Sequence, residues 1–349
     1  MTHTAIPQSV FFLTALELSL AMSMYITQPI FPLHVKALGA STFEIGLLVT
    51  VASVVTLFAR IPISILSDRV GRWPIIPFGL CSISISLSLF ALAPSLIWIF
   101  PLQAVRAAVG SGYMPTTHAI TSDLAPPNRR AETLAFVLTA VGLGSMLGPT
   151  LCSVLVGYLS YSQIFLVAAS LPFLGFIAYL LGKTWITRSP TAKPAQEGAV
   201  KKPLSFIAVL RLQHVMNLCY YEFAFQVAEG AFATLFVIYA EGQLLFTASL
   251  ISLLFAIRGL ANTVIRIPAG KVADRIGRRY PFYLAAILLT ITFLALAVVQ
   301  TFLTLSFTML IYGVGFGMYK VLSNTLFVEN VPPENKVVSL SLRFTAMGI

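Results

Sequence analysis

Charged residues inside otherwise apolar segments are the part of this sequence that can do chemistry. The residues in question are Glu17, Arg106, Glu222, Glu229 and Lys320. A charged side chain at the centre of a bilayer costs about 2.5 to 3.5 kcal/mol on insertion scales, so each should face a cavity or a partner. A carboxyl group in a cavity of low dielectric constant can bind and release a proton near neutral pH. These residues therefore predict a path for protons or for a small solute.

The segments that hold these residues are long enough to cross a membrane. Hydrophobic residues make up 58% of the chain and charged residues only 10%, whereas about a quarter of the residues of a soluble domain are charged. Ten apolar segments have the roughly 20 residues that a spanning helix needs, and an eleventh is partial. We place them at residues 10–33, 45–66, 75–93, 96–120, 134–158, 163–182, 213–239, 246–269, 281–299, 302–327 and 337–349.

Continuous apolar character favours helices over barrel strands, because strands of a membrane barrel alternate in polarity. The predicted fold class is therefore an all-α polytopic membrane protein. The three cysteines, Cys81, Cys152 and Cys219, lie inside predicted spans and indicate packing residues, not a disulfide framework or a metal site.

The sequence contains an internal repeat. Residues 60–72 read RIPISILSDRVGR and residues 266–278 read RIPAGKVADRIGR, which is an offset of 206 positions. Such a repeat predicts two like-oriented halves of six helices each. We expect a bundle at 1–182, a polar cytoplasmic linker at 183–203 and a second bundle at 204–349. Because the rest of the eleventh helix and a twelfth helix would need roughly 45 to 55 further residues, we expect the second half to be incomplete, as a fragment or a degenerate short form.

Basic residues of the connecting loops fall on one side of the membrane. When the loops are taken alternately, one set holds fifteen lysines and arginines and the other holds only Lys36. Basic loops stay in the cytoplasm, so the amino terminus and the linker should be cytoplasmic. We expect the membrane to be the plasma (inner) membrane. This asymmetry explains the net charge of +10, and we expect no nucleic-acid partner.

The repeated segment resembles the signature G-x-x-x-D-R-x-G-R of the major facilitator superfamily. The second copy matches it in full, at Gly270, Asp274, Arg275, Gly277 and Arg278. The first copy has Ser64 in place of the first glycine and matches at Asp68, Arg69, Gly71 and Arg72. The resemblance implies the major facilitator fold. Gly71 and Gly277, the glycines after the Asp-Arg pairs, should adopt a positive φ at a sharp turn.

The resemblance also implies roles for particular residues. In that family the aspartate of the signature meets the amino terminus of a helix from the other half when the cytoplasmic side is closed, so Asp68 and Asp274 would act as a latch. Charges that only fix topology are the alternative. The family's first, fourth, seventh and tenth helices line its central cavity. The resemblance therefore implies that five residues on these helices contact substrate or protons: Glu17, Arg106, Glu222, Glu229 and Lys320.

Two patterns of small residues resemble the family as well. On the fourth segment they are Gly110 and Gly112, which follow Arg106. On the fifth segment they are Gly144, Gly148 and Pro149, similar to the G-x-x-x-G-P core of antiporter branches. Glycines let helices approach closely, and proline loosens the hydrogen-bond ladder. A structural salt bridge for Arg106 and ordinary packing for the glycines are the alternatives.

Three functions fit these observations. The first is a proton-coupled exporter of a small organic or drug-like molecule, working by alternating access. The second is a uniporter or symporter of a sugar, an organic acid or another metabolite, and the third is a transport-inactive scaffold or receptor. The phosphate-binding loop G-x-x-x-x-G-K-[ST] and the hydrolase motifs H-E-x-x-H and G-x-S-x-G are absent from the sequence. We therefore expect no enzymatic activity, no cofactor and no metal, and a monomer in the lipid bilayer.

Overall fold

A computed structural model describes residues 7–125, 130–187 and 212–329 of the chain. Within these ranges the regular elements are all helical. In chain order they are α1 Gln8–Thr27, α2 Phe31–Ala37, α3 Thr42–Val70, α4 Ile75–Leu92, α5 Leu96–Leu124, α6 Arg130–Leu155, α7 Tyr161–Thr187, α8 Gln213–Ala231, a π-helical turn Phe232–Phe236, α9 Val237–Gly242, α10 Ala248–Ile276, α11 Arg279–Leu296 and α12 Phe302–Glu329. Nine segments of the described chain are long and apolar enough to cross a membrane. The predicted all-α membrane class is confirmed.

The predicted fourth and eleventh spans are not among these nine segments. The fourth is a helix, α5, but it carries Arg106, His118 and Asp123 and is less apolar than the others. The eleventh, at residues 337–349, lies outside the described residues. The predicted linker lies mostly outside them too, and its first residues continue α7 as far as Thr187.

The first predicted span, residues 10–33, is two helices in the structure and not one. Helix α1 ends at Thr27, a turn follows, and α2 begins at Phe31. Pro29 lies in that turn, and a proline lacks the N–H that would continue the helical hydrogen-bond ladder. The second half is interrupted at the corresponding place, because the π-helical turn precedes α9, which begins at Val237, 206 positions after Phe31.

Helix boundaries repeat with the sequence. Helices α3 and α10 cover residues 42–70 and 248–276, which are 206 positions apart at both ends. Each is followed by a glycine in the left-handed region, Gly71 with φ +96° and Gly277 with φ +85°. A side chain at such a φ is strained, so the signature glycines stop the helices as predicted. The signature aspartates, Asp68 and Asp274, lie in the last turns of these helices and not in the loop, which corrects the predicted helix ends at 66 and 269.

The chain divides into two compact units. Unit 1 comprises Met1–Ala195 with Phe246–Ala256, and unit 2 comprises Gln196–Leu245 with Ile257–Ile349. In unit 1, α1 packs against α6 and α7, and α5 packs against α3 and α4. In unit 2, α12 packs against α11 and contacts α8. These packings place the charged residues of α1 and α5 in one unit and those of α8, α10 and α12 in the other.

Candidate substrate and proton site

Glu17 is a buried carboxyl group of unit 1. Its side chain, on α1, is 1% exposed, and its Oε2 atom has no hydrogen-bond partner among the described residues. The Tyr113 side chain, on α5, is equally buried, its hydroxyl is also without a partner there, and it interacts electrostatically with Glu17. A buried polar atom without a hydrogen bond is costly and rare, so an ionised Glu17 is poorly stabilised in this conformation.

Arg106 lies on α5 of the same unit. Its Nε donates to Oε1 of the buried Gln103 at 3.1 Å, and its guanidinium carbon lies 5.9 Å from the centre of the Phe90 ring. Among the described residues it makes no ion pair with Glu17. Contact of Arg106 with substrate or protons therefore stays a prediction.

Unit 2 brings Glu229 of α8 to Arg258 of α10. Nη2 of Arg258 is 2.5 Å from Oε1 of Glu229, and the Tyr312 hydroxyl of α12 donates to the other oxygen of this carboxylate. The guanidinium carbon also lies 5.2 Å from the Phe232 ring centre, 4.5 Å from that of Tyr312 and 4.8 Å from that of Phe316. The two charges therefore neutralise each other, and aromatic rings surround the guanidinium of Arg258.

Glu222 is another acidic residue of α8 and is fully buried. Its Oε2 accepts hydrogen bonds from the Tyr319 hydroxyl at 2.9 Å and from the Ser323 hydroxyl at 2.7 Å. The Lys320 ammonium is 4.0 Å from its Oε1. All three partners belong to α12, so Glu222 also ties α8 to that helix.

Sequence reasoning missed the hydroxyl donors, although the repeat contains a signal for one of them. Tyr113 and Tyr319 are 206 positions apart, and each lies beside a buried glutamate of its own unit. The repeat therefore places a tyrosine near a carboxyl group twice. Only in unit 2 does the structure join the pair by a hydrogen bond.

The signature residues at the helix ends form ion pairs within each unit. In unit 1, Arg72 is 2.5 Å from Asp123 at the end of α5. In unit 2, the exposed Asp274 is 3.7 Å from Arg278 on the following turn. The Asp68 side chain lies outside the described residues, so the latch stays a prediction. Arg69 and Arg275 have exposed side chains.

Glycines of α5 and α6 differ in what surrounds them. A Cβ atom at Gly144 would lie 2.6 Å from Cβ of Ala21, and one at Gly148 would lie 2.7 Å from Cβ of Tyr25. These two glycines, with Pro149 inside α6, therefore allow close packing on α1. Gly112 faces the Ile63 side chain, whereas Gly110 and Gly270 have no such neighbour within 4 Å.

Comparison with known protein families identifies the family of this chain. The family model described as Major Facilitator Superfamily matches residues 13–349. The chain belongs to the major facilitator superfamily. It is therefore a secondary transporter, which moves a small solute across a membrane by alternating access.

Two relatives in this superfamily are named for drug resistance. The chain is 25% identical over 350 residues to the multidrug resistance protein MdtG of Rahnella sp., covering 97% of this chain and 82% of that protein. It is 24% identical over 331 residues to the multi-drug resistance efflux pump PmrA of Streptococcus pneumoniae serotype 4, covering 92% of this chain and 79% of that pump.

Solved structures of superfamily transporters share the fold. A bacterial homologue of the human lysosomal transporter Spinster, inward-facing and unoccupied, superposes with a TM-score of 0.76 at 16% identity, over 97% of this chain and 78% of that chain. A POT family transporter in complex with 5-aminolevulinic acid gives a TM-score of 0.79 at 15% identity, over 98% of this chain and 88% of that chain. At such low identity the likeness establishes the fold alone.

Proposed function

We propose that this transporter exports a small, drug-like organic molecule in exchange for protons, and that Glu17 carries the proton. The observation behind the proposal is the burial of the Glu17 carboxyl group with one oxygen lacking a hydrogen-bond partner among the described residues. A group in that state is poorly satisfied as an anion and is better accommodated when protonated. Glu222 and Glu229 already accept hydrogen bonds from donors in the same unit, which suits a structural role.

The direction of transport rests on relatives named for drug resistance, one of which, PmrA, is named an efflux pump. We further propose that a single chain is sufficient, because Glu222 and Glu229 of unit 2 both have a cationic partner in their own chain. The amino terminus would lie in the cytoplasm at the plasma (inner) membrane, as the basic loops indicate. No nucleic acid and no enzymatic step is required by this scheme.

The test is transport by the purified chain in proteoliposomes under an imposed pH gradient. Glu17→Gln imitates the protonated glutamate, so we expect uphill transport to be lost while exchange or downhill flux remains measurable. Arg106→Ala should be more harmful than Glu17→Gln, because an ionised Glu17 that meets Arg106 during transport would be left without a cationic partner.

The matched control is Glu241→Gln, which removes a carboxylate at the end of α9, far along the chain from the proposed site. It should transport like the parent. If Glu17→Gln moves substrate against its gradient as well as the parent does, proton coupling through α1 is wrong, provided that both proteins elute as single species.

A further inference from the structure

The Lys320 ammonium in unit 2 occupies a place that is built for a cation. It lies 5.5 Å from the centre of the Phe225 ring, 5.4 Å from that of Phe316 and 4.0 Å from the Glu222 carboxylate. Aromatic faces together with a carboxylate form a general receptor for ammonium groups, including those of ligands. We name the three residues Phe225, Phe316 and Glu222 the cation box.

Arg258, which also lies against aromatic rings of unit 2, is held differently from Lys320. Arg258 is 8% exposed, it is 2.5 Å from Glu229, and three rings cover its guanidinium. The Lys320 side chain is 21% exposed, and its distance to Glu222 is at the outer limit of an ion pair. A lysine side chain also has a flexible four-carbon stem and a compact charge. Arg258 is therefore enclosed within unit 2, whereas the Lys320 ammonium is more exposed and lies farther from its carboxylate.

The box does not depend on Lys320 for its shape. Glu222 is fully buried and receives hydrogen bonds from Tyr319 and Ser323, which would hold the carboxylate in position if the lysine moved. Phe225 also packs on the Tyr319 ring, with the two ring centres 4.4 Å apart. A carboxylate and two rings would then be exposed to any positively charged group small enough to enter.

We propose that Lys320 is a specificity-determining residue that fills the cation box from within and keeps organic cations out of it. A tethered ammonium competes with a dissolved one at a high effective concentration, so external cations are disfavoured. The molecule bound at this site is then uncharged or anionic. The inference rests on the proposed function, since it names the class of molecule that the transporter would export.

Binding of benzyltrimethylammonium to the purified full chain, measured by titration calorimetry, tests the inference. Lys320→Met should lower the Kd for this probe at least about tenfold, the change expected when a competitor that fills the box nine-tenths of the time is removed. Lys320→Gln, which can still donate to Glu222, should act in the same direction and guards against misfolding of the methionine variant. Lys320→Arg retains a cation in the box and should bind the probe as weakly as the parent.

Two further measurements separate charge from space. Neopentylbenzene has the shape of the probe without its charge, and its binding should not improve in Lys320→Met. Adding Glu222→Gln to Lys320→Met should remove the gain for the cation. The inference is overturned if the parent already binds the probe as tightly as folded Lys320→Met and Lys320→Gln, or if Lys320→Arg gains as much as they do. Because the readout is binding, failure of proton-driven export would refute the proposed function and leave this result standing.

Discussion

The three carboxyl groups at Glu17, Glu222 and Glu229 differ in how many hydrogen bonds and ion pairs each receives. Glu229 has a guanidinium on one oxygen and a tyrosine hydroxyl on the other, and Glu222 has two hydroxyl donors and a nearby ammonium. Glu17 has an oxygen with no partner among the described residues. An ionised group that is buried without a partner lowers the stability of the folded protein by several kcal/mol, about 3 to 5 when a buried pair is broken. A buried carboxyl group without a partner is therefore better tolerated when it is protonated and neutral. This difference is why proton coupling is assigned to α1 and not to α8.

Two tyrosines at repeated positions should respond differently to loss of the hydroxyl. Tyr319→Phe removes a hydrogen bond to the buried Glu222 carboxylate, and we expect the free energy of unfolding to fall by about 1.5 to 3 kcal/mol. Tyr113→Phe removes a buried hydroxyl that has no partner among the described residues, so its cost should be near zero. Unfolding in mixed micelles measures both.

The two variants control for each other, because both make the same chemical change in a buried tyrosine. Equal losses of stability would show that the Tyr113 hydroxyl is bonded as well, and the contrast drawn between the two units would then be wrong.

At the scale of helices, small residues decide which pairs come close. Helix α6 lies on α1 through Gly144 and Gly148, whose missing side chains leave room for the backbone near Ala21 and Ile26. In a bilayer, where lipid is as apolar as leucine, such close van der Waals packing is a main source of helix association. The glycine pattern that resembles antiporter branches therefore has a packing role in unit 1, and a role in bending remains a prediction.

Gly148→Ala should separate α1 from α6. The new Cβ atom would lie 2.7 Å from Cβ of Tyr25 and 2.9 Å from the Ile26 nitrogen, so the helices must move apart. We expect a loss of about 1 to 3 kcal/mol in the free energy of unfolding, the usual range for overpacking. The control is Gly110→Ala, where the structure has open space and alanine improves helix propensity by up to about 1 kcal/mol. If thermal unfolding ranks the two variants alike, close packing at Gly148 is not what stabilises this pair.

At the scale of the whole molecule, the positions of the basic residues predict how the chain crosses the membrane. Ala195→Cys in the linker, placed in a chain without its natural cysteines, should react with a membrane-impermeant maleimide only from the cytoplasmic side, because the flanking lysines and arginines favour that side. Tyr158→Cys is the control, since this residue is 85% exposed in the turn between α6 and α7 and should react only from outside. The reverse pattern of labelling would invert the orientation and every depth inferred from it.

Local and repeated features of this protein were readable from sequence. Lipid cannot satisfy backbone hydrogen bonds, so long apolar segments had to be helices, and α3, α4, α10 and α12 lie close to their predicted positions. Gly71 and Gly277 were predicted to take positive φ because glycine does so without strain, and both do. The break after Thr27 was missed, although Pro29 and Pro32 were its visible cause.

The sequence by itself determined the class, the repeat and the residues worth testing, because apolar length and glycine conformation are properties of a short stretch of chain. Only the tertiary structure decided which charges are paired, since that depends on how each helix is rotated and on what its neighbours present. It pairs Arg258 with Glu229 and Lys320 with Glu222. Glu17 and Arg106 form no ion pair with each other, and Arg106 donates to Gln103 instead. A buried charge is costly anywhere in the bilayer, so the sequence could mark it, but the partner that offsets the cost comes from a helix far away in the chain.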